Sequence, residues 1–330
     1  MPLPTLAELD AAGAIVHAAM APTPQQRWPL LDAAIGVGTW VKHENHGPVG
    51  AFKLRGGLVY MERLLQRQPG LRGVIAATRG NHGQSVAFAA RRHGLDATIV
   101  VPLGNSQEKN AAMRALGATL VEHGADFQES REHARRLAER DGLHMVPSFH
   151  ADLVAGVATG WLELLRAQPD LDLLLAPVGQ GSSFAAALAA REALGLRMPI
   201  VGVVSSHAPA YRLSLQAGHA VAAPVTTVLA DGLACRVPDP ESLPLVLRHA
   251  EDVIAVSDVE VAAAMRLLYG CTHNLAEGAG AAALAGALQL RAAGRLAGLR
   301  RIGVPLTGAN VDAAVMARVL DARHDRDWQR

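Results

Sequence analysis

A chain of 330 residues, 50% of them hydrophobic, has enough apolar side chains for one large core or two smaller ones, and two lobes are the expected division. The formal net charge is +1 and the arginines are scattered rather than stacked into a stripe, which removes the electrostatic basis for nucleic-acid binding and leaves a small molecule as the default partner. Two cysteines, Cys235 and Cys271, are too few and too far apart for a disulfide framework or a cysteine-based zinc site, and reduced thiols fit a cytoplasmic setting. Residues 1–12 carry Glu8 and Asp10 without a basic cluster leading into an apolar run, so no cleaved export signal is expected. The apolar runs at 171–178 and 281–290 are shorter than the roughly 20 residues a membrane crossing needs and read as buried strand and helix.

From about Gly73 onward, short β-branched runs alternate with stretches of helical period. Strands are expected at 73–78, 97–102, 119–123 and 145–148, with helices at 81–92, 107–116 and 127–140 between them. A second series follows, with strands at 172–177, 199–205, 253–256 and 301–305 and helices at 154–165, 259–268 and 277–292. Such alternation predicts an α/β protein with two mostly parallel sheets, each flanked by helices, and a cleft between the lobes. Gly and Pro clusters at 222–224 and 237–240 mark loops inside the second lobe, and the residues after Asn310 suffice for one closing helix.

Of 31 Lys and Arg residues, three are lysines: Lys42, Lys53 and Lys109. Lys53 lies in Gly50-Ala51-Phe52-Lys53-Leu54-Arg55-Gly56-Gly57, between apolar neighbours and glycines that allow close backbone approach to a ligand. A lysine in such a pocket is able to lose its proton and attack a carbonyl, which an arginine is not. Alone, the stretch reads more readily as a surface lysine with a buried stem. Thr78-Arg79-Gly80-Asn81-His82-Gly83 joins a strand to a helix, where N–H groups at the helix start are available to a carboxylate. Pro177-Val178-Gly179-Gln180-Gly181-Ser182-Ser183 does the same after a strongly apolar strand, as a phosphate cradle would, although a plain tight turn has the same pattern.

Together these segments resemble the fold-type II pyridoxal-phosphate (PLP) enzymes, and within them the threonine dehydratase and serine racemase family. The resemblance runs over about residues 25 to 320. It is carried in order by Lys42-His43-Glu44-Asn45, Ala51-Phe52-Lys53-Leu54-Arg55-Gly56, Gly80-Asn81-His82-Gly83-Gln84, Leu116-Gly117-Ala118, Pro177-Val178-Gly179-Gln180-Gly181, Ala230-Asp231-Gly232, Glu277-Gly278-Ala279-Gly280-Ala281 and Leu306-Thr307-Gly308-Ala309-Asn310. It implies a two-lobed tryptophan-synthase-β-like architecture, with a large PLP-binding lobe of residues 1–45 plus 151–330 and a small lobe of residues 46–150. It also implies that Lys53 holds PLP as a Schiff base and that Phe52, Asn81, Glu277 and Thr307 contact the cofactor. Asn81 would meet its phenolic oxygen and Thr307 its pyridine nitrogen. Gly179, Gln180, Gly181, Ser182 and Ser183 would bind its phosphate, and Thr78, Arg79, Gly80, Asn81 and His82 the substrate.

Departures from the family pattern are informative. Ala51 stands where relatives usually have Ser, and the glycine tetrad of the phosphate loop reads Gly179-Gln180-Gly181-Ser182. Thr307 replaces the usual Ser or Cys; a neutral hydroxyl does not enforce a protonated ring nitrogen, which favours elimination over a fully developed carbanion. Serine racemases place at position 79 a Ser that resembles a second acid/base, and Arg79 stays protonated, so two-base racemisation is disfavoured. Either Arg79 pairs with a surface carboxylate, or it meets a second acidic group on the substrate. The segment 203–210 lacks the carboxylates by which some relatives hold a divalent cation, so no metal site is expected.

The expected activity is elimination of water from threonine, serine or a related β-hydroxy amino acid, giving a 2-oxo acid and ammonia, in a cytoplasmic enzyme that the resemblance makes a homodimer. Dehydration of another hydroxylated amino acid such as 3-hydroxyaspartate or a hydroxyectoine breakdown product, β-replacement with a thiol, and a binding protein on a dead PLP scaffold remain as alternatives.

Overall fold

The computed structural model describes residues 1–328. Its strands are β1 (Gln25–Arg27), β2 (Gly38–His43), β3 (Gly73–Ala77), β4 (Asp96–Val101), β5 (Thr119–Glu122), β6 (His144–Met145), β7 (Leu173–Pro177), β8 (Ile200–Ser205), β9 (Asp252–Val256) and β10 (Arg301–Leu306). The helices before β7 are α1 (Leu6–His17), α2 (Pro29–Ile35), α3 (Lys53–Arg67), α4 (Asn81–Arg92), α5 (Gln107–Ala115), α6 (Phe127–Asp141) and α7 (Ala151–Ala167). After it come α8 (Ser182–Ala193), α9 (Ala210–Ala217), α10 (Leu243–His249), α11 (Asp258–Thr272), α12 (Gly278–Ala292) and α13 (Ala313–Leu320).

Two sheets form. One has the order β5-β4-β3-β6 and is parallel throughout; the other has the order β1-β2-β10-β7-β8-β9 and is parallel except for the edge pair of β1 and β2. Strands β3, β7 and β8 are buried along their whole length, as parallel strands covered on both faces must be. Because side chains alternate across a strand, Val74 and Ala76 of β3 face one way while Ile75 and Ala77 face α6. Leu174 and Ala176 of β7 point into the same core as Val74, whereas Leu173 and Leu175 pack under α11 and α12. The central core therefore runs from the smaller sheet through α3, α4, α7 and α8 to one face of the larger sheet. The two lobes share apolar packing at their base.

The predicted strand at 145–148 is shorter in the structure. Val146 still donates its N–H to Ile75, but Pro147 has no N–H to continue the ladder. Helix α3 is fixed to the larger sheet by buried charge. Arg55 donates from Nε to Glu44 (2.7 Å) and from Nη1 to Glu163 (2.6 Å) and Thr159 (3.0 Å). Lys42, on β2, donates to the other Glu163 oxygen at 2.5 Å. Burial by itself pushes the Glu163 carboxyl up, but Arg55 and Lys42 outweigh it and hold it at about 2.

Candidate active site

The segment before α3 is held against the end of β10. Phe52 donates its N–H to Thr307 O and Ala309 its N–H to Gly50 O, each at 2.9 Å, with Ala51 bridging Gly308. Gly50 takes a left-handed φ of 65°, and a Cβ there would lie 3.0 Å from Asn310 Oδ1. Lys53 is thereby the first residue of α3, and its Nζ donates to Ser182 Oγ at 3.2 Å. Burial lowers its proton affinity from 10.5 to about 8, so the amine becomes a nucleophile and base close to neutrality. The glycines after it do not approach a ligand, contrary to the sequence reading. A Cβ on Gly56 would meet Leu153 O at 2.8 Å, and one on Gly57 Ser85 Oγ at 2.1 Å, so both serve helix packing.

Two helix starts face this amine. After β7, Gly179 leaves no room for a Cβ, which would sit 2.5 Å from Gly232 O, and Gly181 caps α8 with φ 95°. The N–H groups of the first turn of α8, on Ser182 and Ser183, have no partner within the helix by geometry, and they point to the cavity end. Gln180 turns its amide toward Cys235 Sγ at 3.5 Å. After β3, Thr78 Oγ1 accepts from Gly80 N–H at 3.0 Å, and Asn81 opens α4.

Between the helix starts lies a polar cluster. Asn81 Nδ2 donates to Glu277 Oε1, and Asn81 Oδ1 accepts from Asn310 Nδ2 at 2.8 Å. Lys109 Nζ lies 2.7 Å from Asp231 Oδ2 and 3.2 Å from Glu277 Oε2. Burial works against the Lys109 charge, but Glu277 and Asp231 outweigh it and raise its proton affinity above the ordinary lysine value. His82 is held neutral: burial and then the Lys53 charge lower it to about 3, and its Nε2 is buried without a protein hydrogen-bond partner. Thr307 is buried, with its hydroxyl 3.3 Å from Ala279 O.

One cavity gathers these groups, about 980 Å³ when counted to its open mouth, within the usual range for a small-molecule site. Phe52, Lys53, Gly179, Gln180, Ser182, Ser183, Glu277 and Thr307 line it, together with all of residues 78–82. Gly181 stands behind the wall as the cap of α8. Arg79 is exposed within the lining and, among the described residues, has no carboxylate partner. The sequence reading assigned no role to Lys109, Asp231, Ser148 or Phe127, all of which line the cavity. For Lys109 the scarcity of lysines was the available signal, and for Asp231 the Ala230-Asp231-Gly232 motif; Ser148 and Phe127 carry none.

These residues fit pyridoxal phosphate. A buried amine of low proton affinity suits its aldehyde, the glycine-flanked helix start of α8 suits a phosphate, and the orphaned His82 Nε2 marks a ligand surface. A family model described as pyridoxal-phosphate dependent enzyme matches residues 16–308. The L-threonine ammonia-lyase of Geobacter sulfurreducens is 35% identical over 288 residues, covering 87% of this chain and 71% of that protein. The biosynthetic L-threonine dehydratase of Salmonella typhimurium is 34% identical over 90% of this chain, which spans 58% of that longer protein. Maize serine racemase superposes with a TM-score of 0.89 at 26% identity, covering 99% of both chains.

Fold and site thus define a fold-type II PLP enzyme, with pyridoxal 5'-phosphate as its cofactor. The chain belongs to the threonine dehydratase and serine racemase family of these enzymes. Among the described residues, no helix is long and apolar enough to cross a membrane.

Proposed function

We propose that this protein is a dehydratase, or ammonia-lyase, that removes water from threonine, serine or a related β-hydroxy amino acid to give a 2-oxo acid and ammonia. The observation that carries the reading is the Lys53 amine, of lowered proton affinity, set between a phosphate-type helix start and a carboxylate-type one. Bound there, pyridoxal phosphate supplies the electron sink for charge that develops at the substrate Cα. Lys53 would hold the cofactor, and its free amine would take the substrate Cα proton, a task its value of about 8 suits. Ser182 orients that amine through its hydroxyl. The N–H groups of Arg79, Asn81 and His82, at and before the start of α4, would hold the substrate carboxylate. The buried Thr307 would offer a neutral hydroxyl to the cofactor's pyridine nitrogen, which would limit the sink and suit loss of the β-hydroxyl as charge builds. The same reading, by family likeness, carries a cytoplasmic homodimer.

Arg79 favours a second reading of the substrate. An exposed guanidinium in the cavity wall, with no protein carboxylate against it, is placed to meet a second acidic group such as that of 3-hydroxyaspartate. A panel of β-hydroxy amino acids assayed for 2-oxo acid release tests both readings. Borohydride reduction of the holoenzyme should leave the pyridoxyl group on Lys53, and Lys53→Ala should lose the visible band and turnover. Reduction mapping to Lys42 or Lys109 would overturn the assignment.

A further inference from the structure

Lys109 is the one cavity lysine with no part in the chemistry above. It is 7% exposed and reaches from α5, on the side of the smaller sheet, to two carboxylates on the side of the larger one. Its stem also covers the substrate loop, since a Cβ on Gly80 would meet Lys109 Cδ at 2.6 Å. Glu277, 3% exposed, is shared between Lys109 and Asn81. While Glu277 is ionised it can only accept, so Asn81 must turn its amide nitrogen toward it. Asn310 closes the other side: its Nδ2 donates to Asn81 Oδ1 and to Val49 O, both at 2.8 Å, which fixes it as the donor. Without Lys109, Glu277 would be a buried carboxylate with no cation beside it, and its contact with the Asn81 amide would be the one to shift.

We propose that Lys109 is a positioning residue of the cofactor site: by balancing the buried Glu277 carboxylate it fixes the orientation in which Asn81 presents its amide to the cofactor. The inference rests on the reading of Asn81 as the partner of the cofactor's phenolic oxygen. Asp231 takes a supporting part, holding the ammonium between the two carboxylates.

The test compares Lys109→Met, Glu277→Gln, Asn81→Ala and two double variants as holoenzymes, reading the visible band, the rate of cofactor release, and kcat and KM separately. Lys109→Met should shift the band and release the cofactor about tenfold faster, with kcat down at least about tenfold and KM within about threefold. Adding Glu277→Gln should restore most of the loss, because the new amide still accepts from Asn81 and leaves no unbalanced carboxylate. Adding Asp231→Asn should not. If Lys109→Met does not fold, the two double variants decide between themselves, with only the Glu277→Gln combination expected to hold cofactor near the wild-type level. Rescue by Asp231→Asn instead, or no rescue by Glu277→Gln, overturns the inference. An unchanged band in Asn81→Ala overturns the Asn81 reading along with it, whereas a changed band without rescue overturns the role of Lys109 alone.

Discussion

At the residue scale, the Lys53 amine carries a dependence on pH that cofactor-free protein should reveal. Its proton affinity is lowered by burial from 10.5 to about 8, so between those values the unfolded chain keeps a proton that the folded one has shed. Stability therefore rises with pH across that window, while below about 8 the charged amine is buried at full cost. Thermal unfolding of Lys53→Met should show the variant more stable at pH 7, with the gap narrowing as pH climbs toward 10.5. A gap that ignores pH would exclude desolvation as its source. Arg79 carries the second residue-scale prediction. A charge-assisted pair in a partly desolvated cleft contributes ~1.5 to 3 kcal/mol, so Arg79→Ala should lower kcat/KM for an acidic substrate by roughly tenfold to a hundredfold and for threonine far less. An unchanged ranking of 3-hydroxyaspartate, serine and threonine would remove it from substrate choice. Lys53 was legible because lysines are so few and because its neighbours match a family motif. Lys109 with Asp231 was not, since the two are 122 residues apart in sequence and no local pattern joins them.

At the scale of elements, the depth at which α3 sits is set by its contact with α7. A Cβ on Gly156 would stand 2.2 Å from Arg55 O, and backbone cannot yield as a flexible side-chain tip can. Gly156→Ala should cost about 1 to 3 kcal/mol and, by lifting the N-terminus of α3, loosen the cofactor. Gly13, in the middle of α1, has nothing within 4 Å of the same added atom, so Gly13→Ala should stabilise by about 0.5 to 1 kcal/mol. Equal effects in urea unfolding would show that helix packing does not decide the first case. The same glycines explain what the sequence hid. Helix α4 matches its predicted span, 81–92, because its apolar period is clear, whereas α3 carries Gly56 and Gly57 within a helix and was not read as one. Strand β2 went unread too, for its buried Lys42 and His43 spoil an apolar run, although they are buried among partners from other elements. Helix α1 went unread as well, although Thr5 and Glu8 form a capping box at its start.

Across the whole molecule, we propose that the lobe boundary falls near residues 46 and 150, since the four-stranded sheet and its crossing helices lie between them. Buried charge spans that boundary: Arg55 of α3 and Lys42 of β2 meet on Glu163 of α7. The Glu163 carboxyl is held at about 2 against an ordinary 4.5, so its contribution is present above 4.5 and is lost as pH falls toward 2. Glu163→Gln should cost on the order of 3 to 5 kcal/mol at pH 7, because Lys42 then loses its carboxylate in a buried place and Arg55 is left with Glu44 alone. The difference from the parent should shrink in acid and barely respond to salt, as buried pairs are weakly screened. A loss that salt abolishes would assign the effect to surface charge instead.

The placement of the three lysines has one more outcome, for reagents rather than for substrates. Lys42 and Lys109 are 2% and 7% exposed and locked against carboxylates, and Lys53 opens only into the cavity. Every other basic side chain on the surface is an arginine or a histidine, neither of which forms a stable imine with an aldehyde. Pyridoxal phosphate supplied in excess thus finds a single side-chain amine to condense with, and stray adducts that decorate lysine-rich proteins have nowhere to form. Acylating dyes, lysine-directed cross-linkers and aldehyde-activated supports should likewise leave the folded chain's side chains almost untouched.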